Sequence, residues 1–443
     1  MKYIFSAAPL GLAVLAVSLS GTATQTQTPE PPPARPVAPG GPGDPIVDLE
    51  ARLAAGATTV VAEGRHGYLK GLLAQLDIPV SSQGLVFSRT SLQTDRIAPW
   101  APRALYFNDD VYIGAVVDSP FLEIASIDPG AGASFYTVRQ DGGARPVFQR
   151  EGTTCLMCHE SRAATGGVPG IIVRSVLTDR MGYMVGAWHE GSTSDRTPFD
   201  RRFGGYYVTG THAGAPHAGN TLSPLLAHEV PVRDEYMRTF DRGAGANVTD
   251  LSKLFNTSQH LSPHSDVVAL MVLAHQARVH NLIVQTQRAT GPGDQPAPIA
   301  AAVEQLLRVM LFSGEAPLGG PVRGTTNYAR AFSARGPADR DGRSLRDFDL
   351  ETRLFRYPLS FLVYSAAFEA LPPPAREQFY ARLDDVLTGA DRSPEFAHLS
   401  AADRRAIREI LVDTKPEFAA RNARSRLRAP GSPPPPVPAH PPR

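Results

Sequence analysis

Apolar and polar residues alternate along much of the first half of the chain, and apolar residues recur at helical spacing through much of the second. Residues 104–117 predict two strands joined by Asn108-Asp109-Asp110. Another strand is expected over 121–127, then a turn at Asp128-Pro129-Gly130 and a strand over 133–139. Such short strands in succession predict an antiparallel meander. A further hairpin is expected from 171–177 and 183–188, around Thr178-Asp179-Arg180-Met181-Gly182. Ahead of the strands, Leu69, Leu72, Leu73 and Leu76 give helical spacing within 46–76. Beyond Asp234, helices are expected over 267–287, 300–312 and the C-terminal third, where Ser400 and Asp403 resemble a capping box before Ile407, Ile410 and Leu411. Strands first and helices later predict an α+β protein, with a β-meander-containing N-terminal half and a mainly α-helical C-terminal half.

The two ends have a different texture. Lys2, an apolar run over 3–19 broken only by small residues and Pro9, and then Gly21 and Ala23 predict an export signal over 1–23, cleaved after Ala23; an uncleaved anchor is the alternative. Residues 24–45 read as a Pro-rich linker, and 419–443, with five Arg and a run of Pro, as a disordered tail. Two internal stretches are apolar enough to raise the question of membrane crossing. Residues 267–284 carry His275, Arg278 and His280, and 355–371 are broken by Pro358, so both are expected to be core helices. Between linker and tail, 46–232 form an expected α+β region and 233–418 a helical one. No transmembrane helix is expected after signal cleavage, and the location expected is periplasmic or secreted.

Composition narrows the function. With 443 residues, 42% hydrophobic and 20% charged, the chain has the makeup of a folded globular protein. Lys+Arg total 44 against Asp+Glu 43, a net charge of +1, so no field suited to a polyanion exists and nucleic acid is not an expected partner. There are only two Cys.

Both lie in Cys155-Leu156-Met157-Cys158-His159. On one helical turn, thiols three residues apart can reach two vinyl groups on one side of a porphyrin, and the next residue can point its imidazole at iron. A redox dithiol would want this motif after a strand in a βαβ unit, and structural zinc would need two further ligands from elsewhere. The motif resembles the haem-attachment site of c-type cytochromes. The resemblance implies one covalently bound haem c, with Cys155 and Cys158 as thioether donors and His159 as proximal iron ligand. Gly166-Gly167-Val168-Pro169-Gly170 is loosely similar to the Gly-Pro segment that follows the motif in class I cytochromes. That likeness implies that the Pro169 carbonyl orients the free ring nitrogen of His159. Residues 103–109 and 203–210 look like segments of large secreted bacterial proteins that carry a cytochrome c motif, a likeness that implies no particular activity.

A second axial ligand would decide between electron transfer and catalysis. Met181 and Met184 lie on the expected hairpin after the motif, and His212 and His217 in a Gly-rich loop that could bring its backbone close to a flat cofactor. His275 lies on an apolar helix one turn after Met271, with His280 off that face; His260 and His264 straddle Pro263. Arg162 and Arg174 flank the motif and could pair haem propionates, while Tyr183, Trp188, Tyr206 and Tyr207 could pack on a porphyrin. The expected function is an exported monohaem c-type cytochrome protein that exchanges electrons with a redox partner protein or a small-molecule donor or acceptor. The alternatives are a haem enzyme of peroxidase or oxygenase type with an open distal site, or a haem-based sensor.

Overall fold

Period-two alternation builds the centre of the N-terminal half. In a computed structural model that describes residues 41–214, 216–290 and 296–427, the strands are β1 (Gly84–Val86), β2 (Arg103–Phe107), β3 (Val111–Ala115), β4 (Phe121–Asp128), β5 (Gly132–Arg139) and β6 (Phe148–Glu151). Two short strands, β7 (Val176–Asp179) and β8 (Met184–Ala187), pair as the expected hairpin, and β9 (Tyr206–Tyr207) follows. The main sheet is antiparallel with order β6-β5-β4-β3-β2-β1-β9. Its meander matches the pattern expected over 104–139, because side chains in each turn accept from backbone N–H groups: Asn108 Oδ1 from Asp110 N and Val111 N, Ser119 Oγ from Phe121 N, and Asp128 Oδ1 from Gly130 N and Ala131 N. Residues 171–175, expected to be part of a strand, do not pair in a sheet; Ile171 N donates to the Asn281 side chain and Val173 N to that of Ser192.

The two faces of the main sheet bury different neighbours. Leu85, Tyr106, Ile113, Leu122, Ile124, Tyr136 and Val138 point to one side, under α1 (Pro45–Ala54) and α2 (Leu69–Gln75), which supply Ile46, Leu49, Leu69, Leu72 and Leu73. Asp44 caps α1 by accepting from Ile46 N and, fully buried, also accepts from Ser126 Oγ and Tyr136 Oη at 2.7 Å each. The expected linker over 24–45 therefore ends inside the fold: 41–45 pack on the sheet. The rest of it, and the expected signal, lie outside the described residues.

Val86, Phe107, Tyr112, Ile127 and Phe135 face the other side, where they meet the helical half. Two segments with Cys-rich or Ser-capped turns, α3 (Thr153–His159) and α4 (Arg162–Thr165), follow β6 directly. Then come β10 (Gly210–His212), β11 (Leu222–Ser223), α5 (Arg233–Thr239) and the long α6 (Val267–Ala289). Helix α6 is long and apolar enough to cross a membrane, yet 94% of its apolar window is buried within the protein. α7 (Pro296–Met310) packs beside it and, further on, α10 (Pro373–Thr388) packs on α7. The strand β12 (Val322–Gly324), α8 (Tyr328–Ser333) and α9 (Ala366–Glu369) complete the middle, and α11 (Ala401–Thr414) and α12 (Pro416–Leu427) the end. The protein is α+β, with strands mostly N-terminal and helices mostly C-terminal.

Three expectations change. One core joins strand residues such as Phe107 and Phe135 to α6, α7 and α10, so 46–232 and 233–418 share their interior. Residues 355–371 are buried but not one helix: Pro358 prevents it, and a 3₁₀ turn over Phe361–Tyr364 precedes α9. The tail expected from Ala419 is helical as far as Leu427, because Phe418 is fully buried and Asn422 accepts from Arg408 at 2.8 Å; residues 428–443 lie outside the described residues. The capping box at Ser400 is present as expected, with Ser400 and Asp403 bonding each other's backbone N–H.

Burial holds His280 neutral, pushing its pKa down to about 4, while its Nε2 bonds the Asp109 carbonyl at 2.8 Å. Unfolded, the imidazole titrates near 6.5, so this group stabilises the fold above that pH and the contribution is lost as pH falls toward 4. Urea midpoints measured from pH 7 to pH 4 should therefore fall less steeply in His280→Gln than in the wild type; parallel curves would contradict a neutral buried ring.

Candidate functional site around the Cys-Leu-Met-Cys-His turn

Helix α3 is about two turns long, opened by Gly152 as its N-cap. Cys155 and Cys158 are both free thiols, the first half-buried and the second exposed. Cys155 and Leu156 pack against the helix-facing side of the sheet alongside Leu105 and Ala125. Burial, followed by the nearby Glu151 and Glu123 carboxylates, pushes the Cys155 thiol up to about 11. That keeps it protonated, the reverse of the thiolate a dithiol oxidoreductase needs. The topology also departs from that alternative: β6 does precede the motif, but it pairs antiparallel with β5, and β7 belongs to another sheet. No three His, Cys, Asp or Glu side chains gather as a set for a metal ion among the described residues.

His159 closes the turn. Its Nδ1 meets the Gly170 carbonyl at 2.9 Å, while Gly170 N donates back to the His159 carbonyl at 2.9 Å. With Nδ1 as donor, Nε2 keeps its lone pair, and it has no hydrogen bond among the described residues. The ring leans on Phe135 of β5, centroids 4.6 Å apart. Burial is the main cause that holds its pKa below the usual histidine value, so the imidazole is neutral. Arg103 and Glu123 act on it more weakly and in opposite senses; they pair with each other at 3.1 Å, mostly buried. Arg103 Nε and Glu123 Oε1 remain without a hydrogen bond among the described residues.

The acceptor that orients His159 is thus one residue beyond the expected Pro169. The Pro169 carbonyl accepts from Ala133 N at 3.1 Å instead, because 169–171 run between β5 and α6. Asn281 of α6 sets that path: Oδ1 accepts from Ile171 N and Nδ2 donates to Ile171 O, both at 2.9 Å. Gln285 Nε2 donates to Thr165 O, and Arg288 donates to Gly167 O and to Glu160. None of these α6 partners was singled out from sequence, since they lie more than a hundred residues from the motif; Gly170 was within reach of the Gly-Pro likeness, one position off.

The five distal candidates lie elsewhere. His275 has both nitrogens engaged, Nδ1 with Asp195 Oδ1 at 3.2 Å and Nε2 with Ser360 Oγ at 2.9 Å, in a fully buried setting stacked on Phe312. Met181 and Met184 are both exposed. Arg89 Nε donates to the Met181 carbonyl, and Gly182 abuts the Phe87 carbonyl just beyond β1, whereas His159 faces β5. Four strand spacings, roughly 19 Å, separate β1 from β5. His212 and His217 are buried against each other, centroids 5.1 Å apart, with Phe199 beside both. Burial, then the neighbouring His212, pushes His217 down to about 3. His212 ends β10, which starts beside Val267, while Gly170 touches Asn281; between those points α6 rises roughly 21 Å. His260 and His280 are also apart from the motif, against Phe255 and Asp109. Of the other sequence candidates, Arg162, Arg174 and Tyr183 are exposed, Trp188 packs on Phe240, and Tyr207 stacks on Phe255 on the far face of the sheet from α3. Tyr206 faces the helical side.

A Cβ at Gly170 would lie 2.2 Å from Asn281 Oδ1 and 3.2 Å from Thr165 Cβ. Gly170→Ala should therefore displace the Asn281 clamp and cost about 1–3 kcal/mol, read as a lower urea midpoint. An unchanged midpoint would mean the anchor of His159 is not packed in this way.

Compared with protein-family models, curated proteins and solved structures, the chain matches none.

Proposed function

We propose that this chain is an exported monohaem c-type cytochrome protein that passes electrons to or from a redox partner protein or a small-molecule donor or acceptor. Cys155 and Cys158 would hold one haem c by thioether bonds and His159 would bind its iron. The observation that carries the reading is the state of His159: Nδ1 tied to the Gly170 carbonyl, Nε2 unengaged among the described residues, and the ring neutral beside two free thiols on the same turn. Metal-binding imidazoles are oriented in this way by a bond from the other ring nitrogen. When bound, haem supplies one-electron chemistry; the chain's part is to fix the imidazole, screen it behind Phe135, and present Arg103, whose Nε is unpaired among the described residues, to a negative group. Export is supported by the apolar run after Lys2 and by the chemistry of the motif, since haem is attached to such motifs outside the cytoplasm.

A second reading has its own support. With Met181 and Met184 on an exposed hairpin, His275 engaged and the His212–His217 pair toward the other end of α6, none of the named candidates stands over His159. An iron with one protein ligand favours a haem enzyme of peroxidase or oxygenase type, or a sensor.

Expressed with a cytochrome c maturation system, the protein should keep a haem-staining band on a denaturing gel, and Cys155→Ala with Cys158→Ala should abolish it. Retained staining in the double variant would refute the haem proposal. The ferric and reduced-plus-CO spectra then divide the two readings: a low-spin iron indifferent to CO belongs to the electron carrier, and a high-spin iron that binds CO to the enzyme or sensor.

A further inference from the structure

Directly after the motif, α4, the loop 189–197, α6 and α7 line a cleft of about 530 Å³. Its polar lining includes Arg196, Arg278, Ser194, Thr197, His189 and Gln305. We propose that this cleft is a binding site for a small organic acid, recognised through its carboxylate or phosphate oxygens by Arg196 and Arg278.

The charge balance of the cleft carries the inference. The buried Arg202 spends its donors on backbone carbonyls, and Arg103, Arg346 and Arg353 have carboxylate partners in Glu123, Asp109 and Asp403. Arg196 and Arg278 have none within 4.0 Å among the described residues, although they sit close enough to repel each other. The one side-chain bond of Arg278 is to a neutral group, Ser194 Oγ at 3.3 Å. Burial works against its charge, so a guanidinium is held in a partly desolvated wall with most of its five N–H donors unspent. The nearest buried carboxylate, Asp195, bonds His275 through Oδ1 and offsets part of the Arg278 charge from beyond ion-pair distance. Glu190, the acidic group of the lining, is exposed at the rim. A planar guanidinium fork matches carboxylate and phosphate oxygens, and two forks in one cleft favour a ligand with two negative charges.

The site is also built before any ligand arrives. Arg202, itself buried, donates to the Thr197 and Asp195 carbonyls at 2.6 Å each. Ala316 N donates to the same Asp195 carbonyl, and Thr193 N to Val173 O. At α4, Gln285 holds Thr165. A preformed pocket with few, fixed polar groups avoids the ordering cost of binding.

Two sources could supply the oxygens, a free acid or the propionates of a haem attached next door, and the test separates them. Thermal unfolding is followed in increasing succinate and, separately, inorganic phosphate, at ionic strength held constant with chloride, on protein made with and without a haem maturation system. Without haem, at least one probe should raise Tm saturably, and Arg278→Gln should weaken it tenfold or more. Arg196→Gln, on an exposed side chain, should do the same and guards against a folding defect in the first variant. A rise that survives haem loading assigns the cleft to a free acid; one that vanishes on loading assigns it to the haem's own carboxylates. No saturable rise without haem, or equal affinity in wild type and both variants, would overturn the proposal.

Discussion

Everything else in this fold follows from the need to surround α6. Eighteen of its 23 residues are buried, so it cannot lie on a surface as an amphipathic helix does. The sheet covers one side, and α7, β12, α8 and α9 cover others. Such burial would be unremarkable for a wholly apolar helix, but α6 also carries His275, Gln276, Arg278, His280, Asn281, Gln285 and Gln287. Each unpaired polar group in that interior would cost about 1–3 kcal/mol. Most of them are met by different parts of the chain: His275 by Asp195 and Ser360, Gln276 by Asn108 O and Tyr112 Oη, His280 Nε2 by Asp109 O, Asn281 by Ile171, Gln285 by Thr165, and Gln287 Nε2 by Pro129 O, while His280 Nδ1 and Gln287 Oε1 have no hydrogen bond among the described residues. Polar side chains spaced along one helix thereby fix the register of loops that have no regular structure of their own.

The motif inherits its geometry from that arrangement. A turn of helix as short as α3 would not hold its shape alone, and its spacing of thiols and imidazole says nothing of where the imidazole points. Orientation comes from Gly170, Gly170 is placed by Ile171, and Ile171 is clamped by Asn281 just past the middle of α6. On the other side Phe135, held in the sheet between β4 and β6, stops the ring from turning.

Local pattern accounts for what could be read without the structure. The meander over 104–139 was legible because alternation and Asn/Asp turns act within a few residues, and α6, α7 and the Ser400 cap because helical spacing and caps do too. Strands of two or three residues such as β1, β9 and β12 were not, since only their partners make them strands: Leu85 pairs with both Ala104 and Tyr207. At the site, Cys155, Cys158 and His159 were legible from contiguous spacing. The candidates for a second axial ligand rest on proximity in sequence and on residue type, and both mislead where folding decides the neighbourhood. His275 looked free on its helix face, yet Asp195 and Ser360, 80 and 85 residues away, occupy it. The segment past Ala419 looked unable to pack, yet Phe418, just before it, anchors α12 in the core.

That Asp195–His275–Ser360 chain has the bonding order of a hydrolase triad, and its setting argues for a different role. Ser360 is fully buried, its backbone N–H is held by Met310 O, and His275 is stacked on Phe312. A nucleophile must reach a substrate, and this hydroxyl meets only its own protein. Asp195 lies between Ser194 and Arg196, which line the cleft, and its backbone carbonyl is gripped by Arg202 and Ala316. One carboxylate thus joins the middle of α6 to the wall that carries Arg196. Asn281, which places the loop that orients the imidazole, and His275, which bonds Asp195 in the guanidinium wall, lie less than two turns apart on α6, so motif and cleft are held at a fixed separation by the same buried element.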